Sequence, residues 1–390
     1  MGIQIRLNFE NPHSLFRPGE IIRGIVYIKS DGKINQLTLT FHGEGNVLCR
    51  QVLVGPMARQ AYYGQQSQSG HLSHNRIHPI YPNPYHISGP QTSTNHLGKQ
   101  VEVNKDPNTG EVRRIVLEFR NQETYLHVTE NIPVSVSYEE HKSTTEYNFP
   151  ITFQLPTNLP TSCELPLGFV KYFAEVNVTY RNSTLEISHD STEIVREPFH
   201  IKGNLDFSLV NGALEPIVVE NWEQFYTFMC FCRNRGDFVM KLRLAKSGFI
   251  PGEEIRFELS YINDTNITIK KLTARLIQKI TYVCLGMENT EVKEMCVMPH
   301  FLKIFSGDKG KCMGGLKISE NALITDLGGC RIIRVRYAVQ VRAFGSCGRK
   351  AVVEAPITIG NIAKEMKSAK ARKNVQETIN EIQTEVIVTT

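Results

Sequence analysis

The sequence predicts an all-β protein made of two tandem antiparallel β-sandwich domains with a short, helix-prone C-terminal tail. Three observations lead there. The turn Phe16-Arg17-Pro18-Gly19-Glu20 returns as Phe249-Ile250-Pro251-Gly252-Glu253, apolar and polar residues alternate through most of the chain, and helical patterns are missing between the strand-like runs. Without such helical crossovers a parallel βαβ arrangement is excluded, and paired antiparallel sheets remain. In each turn proline presets φ at the first central position and glycine accommodates positive φ at the second. From Pro18 to Pro251 the offset is 233 residues. The same offset relates Ile22, Gly24, Val26 and Ile28 to Ile255, Phe257, Leu259 and Tyr261, the residues expected to share one strand face after each turn.

Taken in order, Ile3, Ile5, Leu7 and Phe9 alternate with polar residues and predict a first half-buried strand. Strands follow over Glu20 to Lys29, Gln36 to His42 and Val47 to Val54. Leu37, Leu39 and Phe41 answer to Leu272, Ala274 and Leu276, two residues out of step, as a small insertion in the second copy would produce. Between Gly55 and Gly110 the periodicity disappears into a Tyr-, Gln-, His-, Pro- and Asn-rich stretch, read as a long disordered loop. Alternation resumes at Ile115, Leu117 and Phe119, then in Tyr147, Phe149, Ile151, Phe153 and Leu155, and in Val170 through Tyr180. Pro156 and Pro160 cannot donate to a central ladder and mark a bend between sheets.

In the second half, Phe238, Met240, Leu242 and Leu244 precede the repeated turn, and Ile333, Val335, Tyr337, Val339 and Val341 follow it. Val170-Lys171-Tyr172 is echoed in Val335-Arg336-Tyr337. The expected organisation is a first domain over 1–197 carrying the insert at about 55–110, a linker at 198–204, a second domain over 205–360 and a charged tail at 361–390. A chain of 390 residues exceeds the usual limit of a single core.

A net charge of +5 is mild for this length and gives nucleic-acid binding no strong support. No basic stretch leads into an apolar segment at the N-terminus, and nowhere do about 18 apolar residues run together, so a cytoplasmic protein is expected. The nine cysteines lack framework spacing and read as thiols. Cys230 and Cys232, one residue apart, read as buried thiols on one strand face. Nucleophile-elbow, phosphate-loop and zinc-protease patterns are all missing, so no catalytic, metal or cofactor residue is assigned, and the chain is read as a non-enzyme.

Two surface features invite a functional reading. Lys270, Lys271, Arg275 and Lys279 decorate one strand of the second domain, and Arg334, Arg336 and Arg342 share the face opposite Ile333, Val335 and Tyr337. Guanidinium forks suit phosphates, so these residues are candidate contacts for phosphate groups, including those of anionic lipid; a solvated outer sheet face is the plainer alternative. Tyr81-Pro82-Asn83-Pro84-Tyr85 offers Tyr81, Pro82, Pro84 and Tyr85 as a docking loop for an aromatic-lined groove, with a solvated loop as its alternative. His71, His74, His78, His86 and His96 crowd the same region and promise only weak, adventitious metal. Basic residues of the tail, among them Lys364, Lys367 and Lys370, could graze an anionic membrane, though Glu365, Glu377 and Glu381 oppose this.

The two Phe-x-Pro-Gly-Glu turns, the run Phe149-Pro150-Ile151-Thr152-Phe153-Gln154-Leu155-Pro156 with Leu159-Pro160-Thr161-Ser162-Cys163-Glu164, the run Gly168-Phe169-Val170-Lys171-Tyr172 and the closing Pro356-Ile357-Thr358-Ile359-Gly360 together resemble the arrestin-domain-containing proteins, or α-arrestins. The resemblance covers about residues 1 to 360. It implies arrestin-like (immunoglobulin-like) sandwiches with Phe16, Pro18, Gly19, Glu20, Phe249, Pro251, Gly252 and Glu253 as structural turn residues. It further implies a trafficking adaptor that binds cytoplasmic segments of membrane proteins, linking them to endocytosis, endosomal sorting or ubiquitination, with peripheral association at the plasma membrane or endosomes. Many α-arrestins recruit HECT-type ubiquitin ligases through Pro-Pro-x-Tyr motifs, whereas this chain has no Pro-Pro dipeptide, so ligase contact is expected to be indirect or absent. Cys163 stands where the family commonly has phenylalanine. A retromer-like coat subunit and a thiol-dependent redox or metabolic scaffold are the alternative readings.

Overall fold

The computed structural model describes residues 3–360 apart from 31, 67–98, 135–144, 182–189, 207–209, 227–233, 286, 301 and 347–348. The candidate docking loop Tyr81 to Tyr85, the loop histidines, Cys230, Cys232 and the tail all lie outside the described residues. The first domain contains β1 (Gln4–Phe9), β2 (Leu15–Phe16), β3 (Ile21–Ser30), β4 (Lys33–Val54), helix α1 (Gly55–Gln66), β5 (Lys99–Lys105), β6 (Val112–Ile132), β7 (Thr145–Gln154), β8 (Cys163–Leu165), β9 (Gly168–Arg181) and β10 (Asp190–Ile201). The second contains β11 (Ile217–Tyr226), β12 (Asn234–Leu244), β13 (Gly248–Phe249), β14 (Glu254–Asn263), β15 (Ile269–Cys284), β16 (Met287–His300), β17 (Lys309–Lys317), a 3-10 turn at Thr325–Gly328, β18 (Ile333–Gly345) and β19 (Lys350–Ile359).

Each domain is a sandwich of two sheets, ordered β1-β3-β7 over β2-β10-β9-β4-β6-β5 in the first and β11-β12-β14-β17 over β13-β19-β18-β15-β16 in the second. Among the described residues no strand pairing crosses between domains. A common wiring appears twice: β1-β3-β7 over β2-β10-β9-β4-β6 corresponds to β12-β14-β17 over β13-β19-β18-β15-β16, with β5 and β8 added in the first domain and β11 in the second. Phe41 of β4 faces Ala174 of β9 as Leu276 of β15 faces Val339 of β18, and Leu39 faces Val176 as Ala274 faces Val341. The two sequence echoes, offset by different amounts, therefore meet in one conserved register.

The repeated turns do one job in both domains: they carry the chain from one sheet of the sandwich to the other. β2 runs parallel to β10 in the larger sheet while β3 belongs to the smaller; β13 runs parallel to β19 while β14 belongs to the facing layer. Gly19 has φ +79° and Gly252 φ +86°. Each turn closes with a backbone bond, Glu20 N to Arg17 O at 3.0 Å and Glu253 N to Ile250 O at 3.1 Å. Each glutamate carboxylate then reaches back to accept from a turn amide, Arg17 N at 2.8 Å and Ile250 N at 3.0 Å. Phe16 anchors the first corner in an aromatic cluster, edge-on to Phe9 at 5.8 Å and to Phe199 at 6.1 Å, while Phe41 stacks on Phe153 at 4.0 Å across the sandwich. Tyr172 and Tyr337, the echoed tyrosines, each donate their hydroxyl to a carbonyl of the segment leading into their strand's layer, Pro160 O at 2.8 Å and Leu323 O at 2.9 Å.

The structure corrects three expectations. The two strands expected over Gln36 to Val54 are one 22-residue strand, because Gly43 and Gly45 continue the pleat and leave room for the rings of Tyr172 and Tyr125 rather than ending it. The stretch from Gly55 to Gly110 is not a loop throughout: α1 and β5 occupy its two ends. Ala58, Ala61 and Tyr62 of α1 pack with Val112, Ile115 and Leu117 of β6 in a small satellite core. The expected linker 198–204 overlaps β10, whose Phe199 and Ile201 are fully buried in the first core. Phe199 belongs there because its ring sits among Phe9, Phe16, Phe41 and Tyr172.

Replacing Gly19 or Gly252 by alanine places a Cβ on left-handed backbone, against Thr157 Cγ2 in one case and Glu320 Cγ in the other, both 3.3 Å away. Each substitution is expected to cost about 1–2 kcal/mol, measured by urea unfolding, with similar values at the two corners. A second test is alkaline. Tyr337 also accepts from Gln278 Nε2 at 2.7 Å, and burial, only partly offset by the hydrogen bonds to Gln278 and Leu323, pushes its phenol up from 10.0 to about 12. The unfolded chain releases this proton first, so the stability it represents is intact below pH 10.0 and is lost as pH rises toward about 12. Tyr337→Phe is expected to reduce the fall in urea midpoint over that window by one ionisable group's share, while costing about 1–2 kcal/mol at neutral pH through the unpaired Gln278 amide.

Candidate functional site

The charged face of the second domain assembles from three neighbouring strands. On β15 the outward positions are Lys271, Thr273, Arg275, Ile277, Lys279 and Thr281; opposite them on β18 stand Arg334, Arg336, Ala338, Gln340 and Arg342. Six of the seven cations singled out in the sequence thus share one face. Lys270 is the extra residue at the irregularity between Ile269 and Lys271, and it is exposed. The sequence offers no signal for that bulge.

The face is less cationic than its sequence suggests, because carboxylates from the flanking strands are woven into it. Arg275 is only 6% exposed and pairs with Glu294 of β16 and with Gln340, whose Oε1 also accepts from Arg342 Nε at 2.7 Å. Lys279 pairs with Glu354 of β19, which accepts in turn from Gln340 Nε2 at 2.8 Å. Arg334 lies 3.1 Å from Glu288. Arg336 remains exposed. Between these groups Val292 and Val297 of β16 stand 58% and 44% exposed, opposite Lys279 and Arg275 respectively. A row of guanidinium forks committed to carboxylates and an amide is not a ready cradle for phosphate; a fixed charge pattern interrupted by apolar side chains suits a protein surface.

The second place where chemistry gathers is the seam between the domains, formed by the ends of β4 and β6 against β15 and the segment before β18. Cys49 Sγ lies 3.5 Å from Tyr282 O, Cys284 Sγ 3.4 Å from Phe119 O, and Asn121 Nδ2 donates to Val283 O at 3.0 Å. Tyr125 OH meets Cys330 Sγ at 3.0 Å and Glu123 at 2.9 Å, while Arg331 Nε donates to Glu123 Oε1 at 2.7 Å. The 3-10 turn crosses to the first domain, where Leu327 O accepts from Thr161 N at 2.7 Å, and it holds Asp326 and Leu327 at φ +50° and +52°. Burial pushes the Asp326 carboxyl up against the opposing pull of Arg336 and Arg334. Burial likewise raises the thiols of Cys284, Cys312 and Cys330, and that of Cys163 to about 12. Such thiols stay protonated near neutral pH and are poor nucleophiles. Among the described residues no group of three or more His, Cys, Asp or Glu could hold a metal ion, and no helix is long and apolar enough to cross a membrane.

Paired sandwiches with a common strand order and a mixed charged and apolar outer face suit a protein of the binding or scaffolding class. The family profile "Arrestin (or S-antigen), C-terminal domain" matches residues 234–364, and "Arrestin (or S-antigen), N-terminal domain" matches 86–202. The chain belongs to the arrestin-domain-containing proteins. It is 26% identical over 224 residues to arrestin domain-containing protein 17 of Caenorhabditis elegans, covering 55% of this chain and 48% of that one. It is 23% identical over 223 residues to arrestin domain-containing protein 1 of Mus musculus, covering 56% and 47%, and 26% identical over 162 residues to arrestin domain-containing protein 5 of Homo sapiens, covering 42% and 44%. The match spans about half the length of these relatives.

The ion pairs of the charged face separate into two grades that mutation distinguishes. Arg275→Ala removes a nearly buried guanidinium, leaving Glu294 unpaired and Gln340 Oε1 held by Arg342 alone, and is expected to cost about 2–3 kcal/mol by urea unfolding. Arg334→Ala removes a solvent-exposed pair and is expected to cost less than about 1 kcal/mol.

Proposed function

We propose that the protein is a trafficking adaptor that binds cytoplasmic segments of membrane proteins and connects them to endocytic or endosomal sorting machinery. The observation that carries this reading is the outer face of β16, β15 and β18, where Val292 and Val297 stand exposed among charges held by Glu294, Glu354 and Gln340. A surface whose charges are already fixed loses little freedom when a polypeptide docks, and complementary charges on the partner set its register. Membership of the arrestin-domain-containing family supports the reading, since that family consists generally of non-enzymatic adaptors that bind other proteins. Such an adaptor would work in the cytoplasm with peripheral contact at the plasma membrane or endosomes. With no Pro-Pro dipeptide in the sequence, a HECT-type ligase would be reached through a partner, if at all. The thiol-dependent alternative is disfavoured by the raised thiols of Cys163, Cys284 and Cys330, which lack the electropositive, exposed setting of reactive cysteines.

Proximity labelling in cells with the full chain tests the reading. Membrane receptors or transporters and sorting proteins are the expected partners, and Val292→Asp with Val297→Asp is expected to deplete them several-fold while leaving the thermal midpoint within a few degrees. A partner set holding neither class, or one unchanged by the double substitution, contradicts the proposal.

A further inference from the structure

The outer face of the larger sheet in the first domain carries a feature that no sequence pattern disclosed. His42 of β4 and His127 of β6 are directly opposed across the antiparallel ladder, one step from the opposed pair Thr40 and Thr129, whose hydroxyls meet at 3.0 Å. The two imidazoles are nearly perpendicular, with centroids 5.6 Å apart at 85°, and their Nδ1 atoms face each other at 3.4 Å. Two imidazole nitrogens bound to one tetrahedral ion at about 2.0–2.1 Å are separated by about 3.4 Å. The bite is therefore set by the strands before any ion arrives.

The outer atoms of the pair are arranged in keeping with this. His42 Nε2 lies 3.5 Å from Glu44 Oε2, two residues along the same strand face, and Glu44 accepts from Gln122 Nε2 of β6 at 3.0 Å. A carboxylate that draws the proton to one imidazole nitrogen leaves the other as a lone pair, the usual support for a metal-bound histidine. The His42 ring is braced by Phe173 of β9 at 4.9 Å, and Arg196 of β10 lies over the Phe173 ring at 5.2 Å. The His42 side of the site is thus packed against two further strands.

We propose that His42 and His127 form a binding site for a divalent transition-metal ion of the Cu2+ or Zn2+ class, with Glu44 positioning His42 and water completing the coordination. Two protein ligands make a labile site rather than a structural one, occupied when free ion is plentiful and empty otherwise. Imidazole donors at this spacing favour Cu2+ over Zn2+ in affinity. The site is fixed on strands, so binding there is separable by mutation from binding at any other histidine.

The test is a calorimetric titration of the full chain with Cu2+ and with Zn2+, repeated on His42→Gln, His127→Gln and Glu44→Gln. Each histidine substitution is expected to remove one bound ion per chain, and Glu44→Gln to keep the stoichiometry while weakening that ion about tenfold. Unchanged stoichiometry and affinity in both histidine variants, with native circular dichroism, would overturn the proposal and assign all binding to other histidines. A measurement on the unmodified chain guards against a misfolded variant: saturating Cu2+ is expected to broaden the amide resonances of His42 and His127, and sharp resonances at both positions would sink the site.

Discussion

Everything in the fold depends on a corner at which the backbone must turn left-handed. A sandwich needs its chain to leave one sheet and enter the facing one without stranding polar backbone groups in the core, and both domains solve this with a five-residue turn identical at four positions. The preceding phenylalanine sits in the core, proline fixes the approach, and glycine takes φ near +80°. The glutamate then fills an amide that no strand reaches, Arg17 N in one copy and Ile250 N in the other. The parallel pairs β2 with β10 and β13 with β19, only two residues long, are the other half of the corner. They tie the entry to the last strand of the same domain, through Lys202 N to Phe16 O at 2.8 Å and Gly360 N to Phe249 O at 3.0 Å. Each domain is thereby closed by its own first and last segments.

Much of this was legible because it is local or periodic. The turn residues have a mechanism readable in five letters, and period-two alternation named the buried faces of β3, β9, β14 and β18 correctly. What escaped was set by partners distant in sequence. Gly43 and Gly45 read as breaks until the rings of Tyr172 and Tyr125 are seen to lie over them. Phe199 read as linker because its strand is polar on both sides until the last few residues, where one ring enters an aromatic cluster drawn from β1, β2, β4 and β9. Ala58 and Tyr62 gave too weak an apolar stripe to announce a helix, yet a shallow patch on β6 suffices to seat it.

The same limit governs the candidate sites. Alternation placed Arg334, Arg336 and Arg342 on one face and a second set of cations on another strand, but charge is a property of the assembled face, and the carboxylates that neutralise it arrive from β16 and β19 by register alone. The paired imidazoles of His42 and His127 are 85 residues apart, and nothing in either neighbourhood distinguishes them from ordinary outward-facing polar residues. Function on a β-sheet surface is written across strands, where a one-dimensional reading has no purchase.

The seam between the domains bears on how such a protein transmits binding. Apolar packing runs continuously from one sandwich to the other, with Gly168 fitted closely against Ile333. The polar contacts within it are thiol or amide donors meeting carbonyls, Cys49 with Tyr282, Cys284 with Phe119 and Asn121 with Val283, joined by the backbone bond from Thr161 to Leu327 and the Arg331–Glu123 ion pair. In a separated pair of domains water would satisfy each of these carbonyls, so the net contribution of each bond is about 1 kcal/mol or less, and thiol donors fall at the low end. The polar contacts select one orientation of the domains, and the continuous apolar packing with the Arg331–Glu123 pair holds them in it. The cost of that orientation appears at Asp326 and Leu327, two non-glycine residues held left-handed where the chain crosses the seam. Backbone in that region persists only where its surroundings over-determine it, which here are the Thr161 to Leu327 bond on one side and the buried Leu327 side chain on the other.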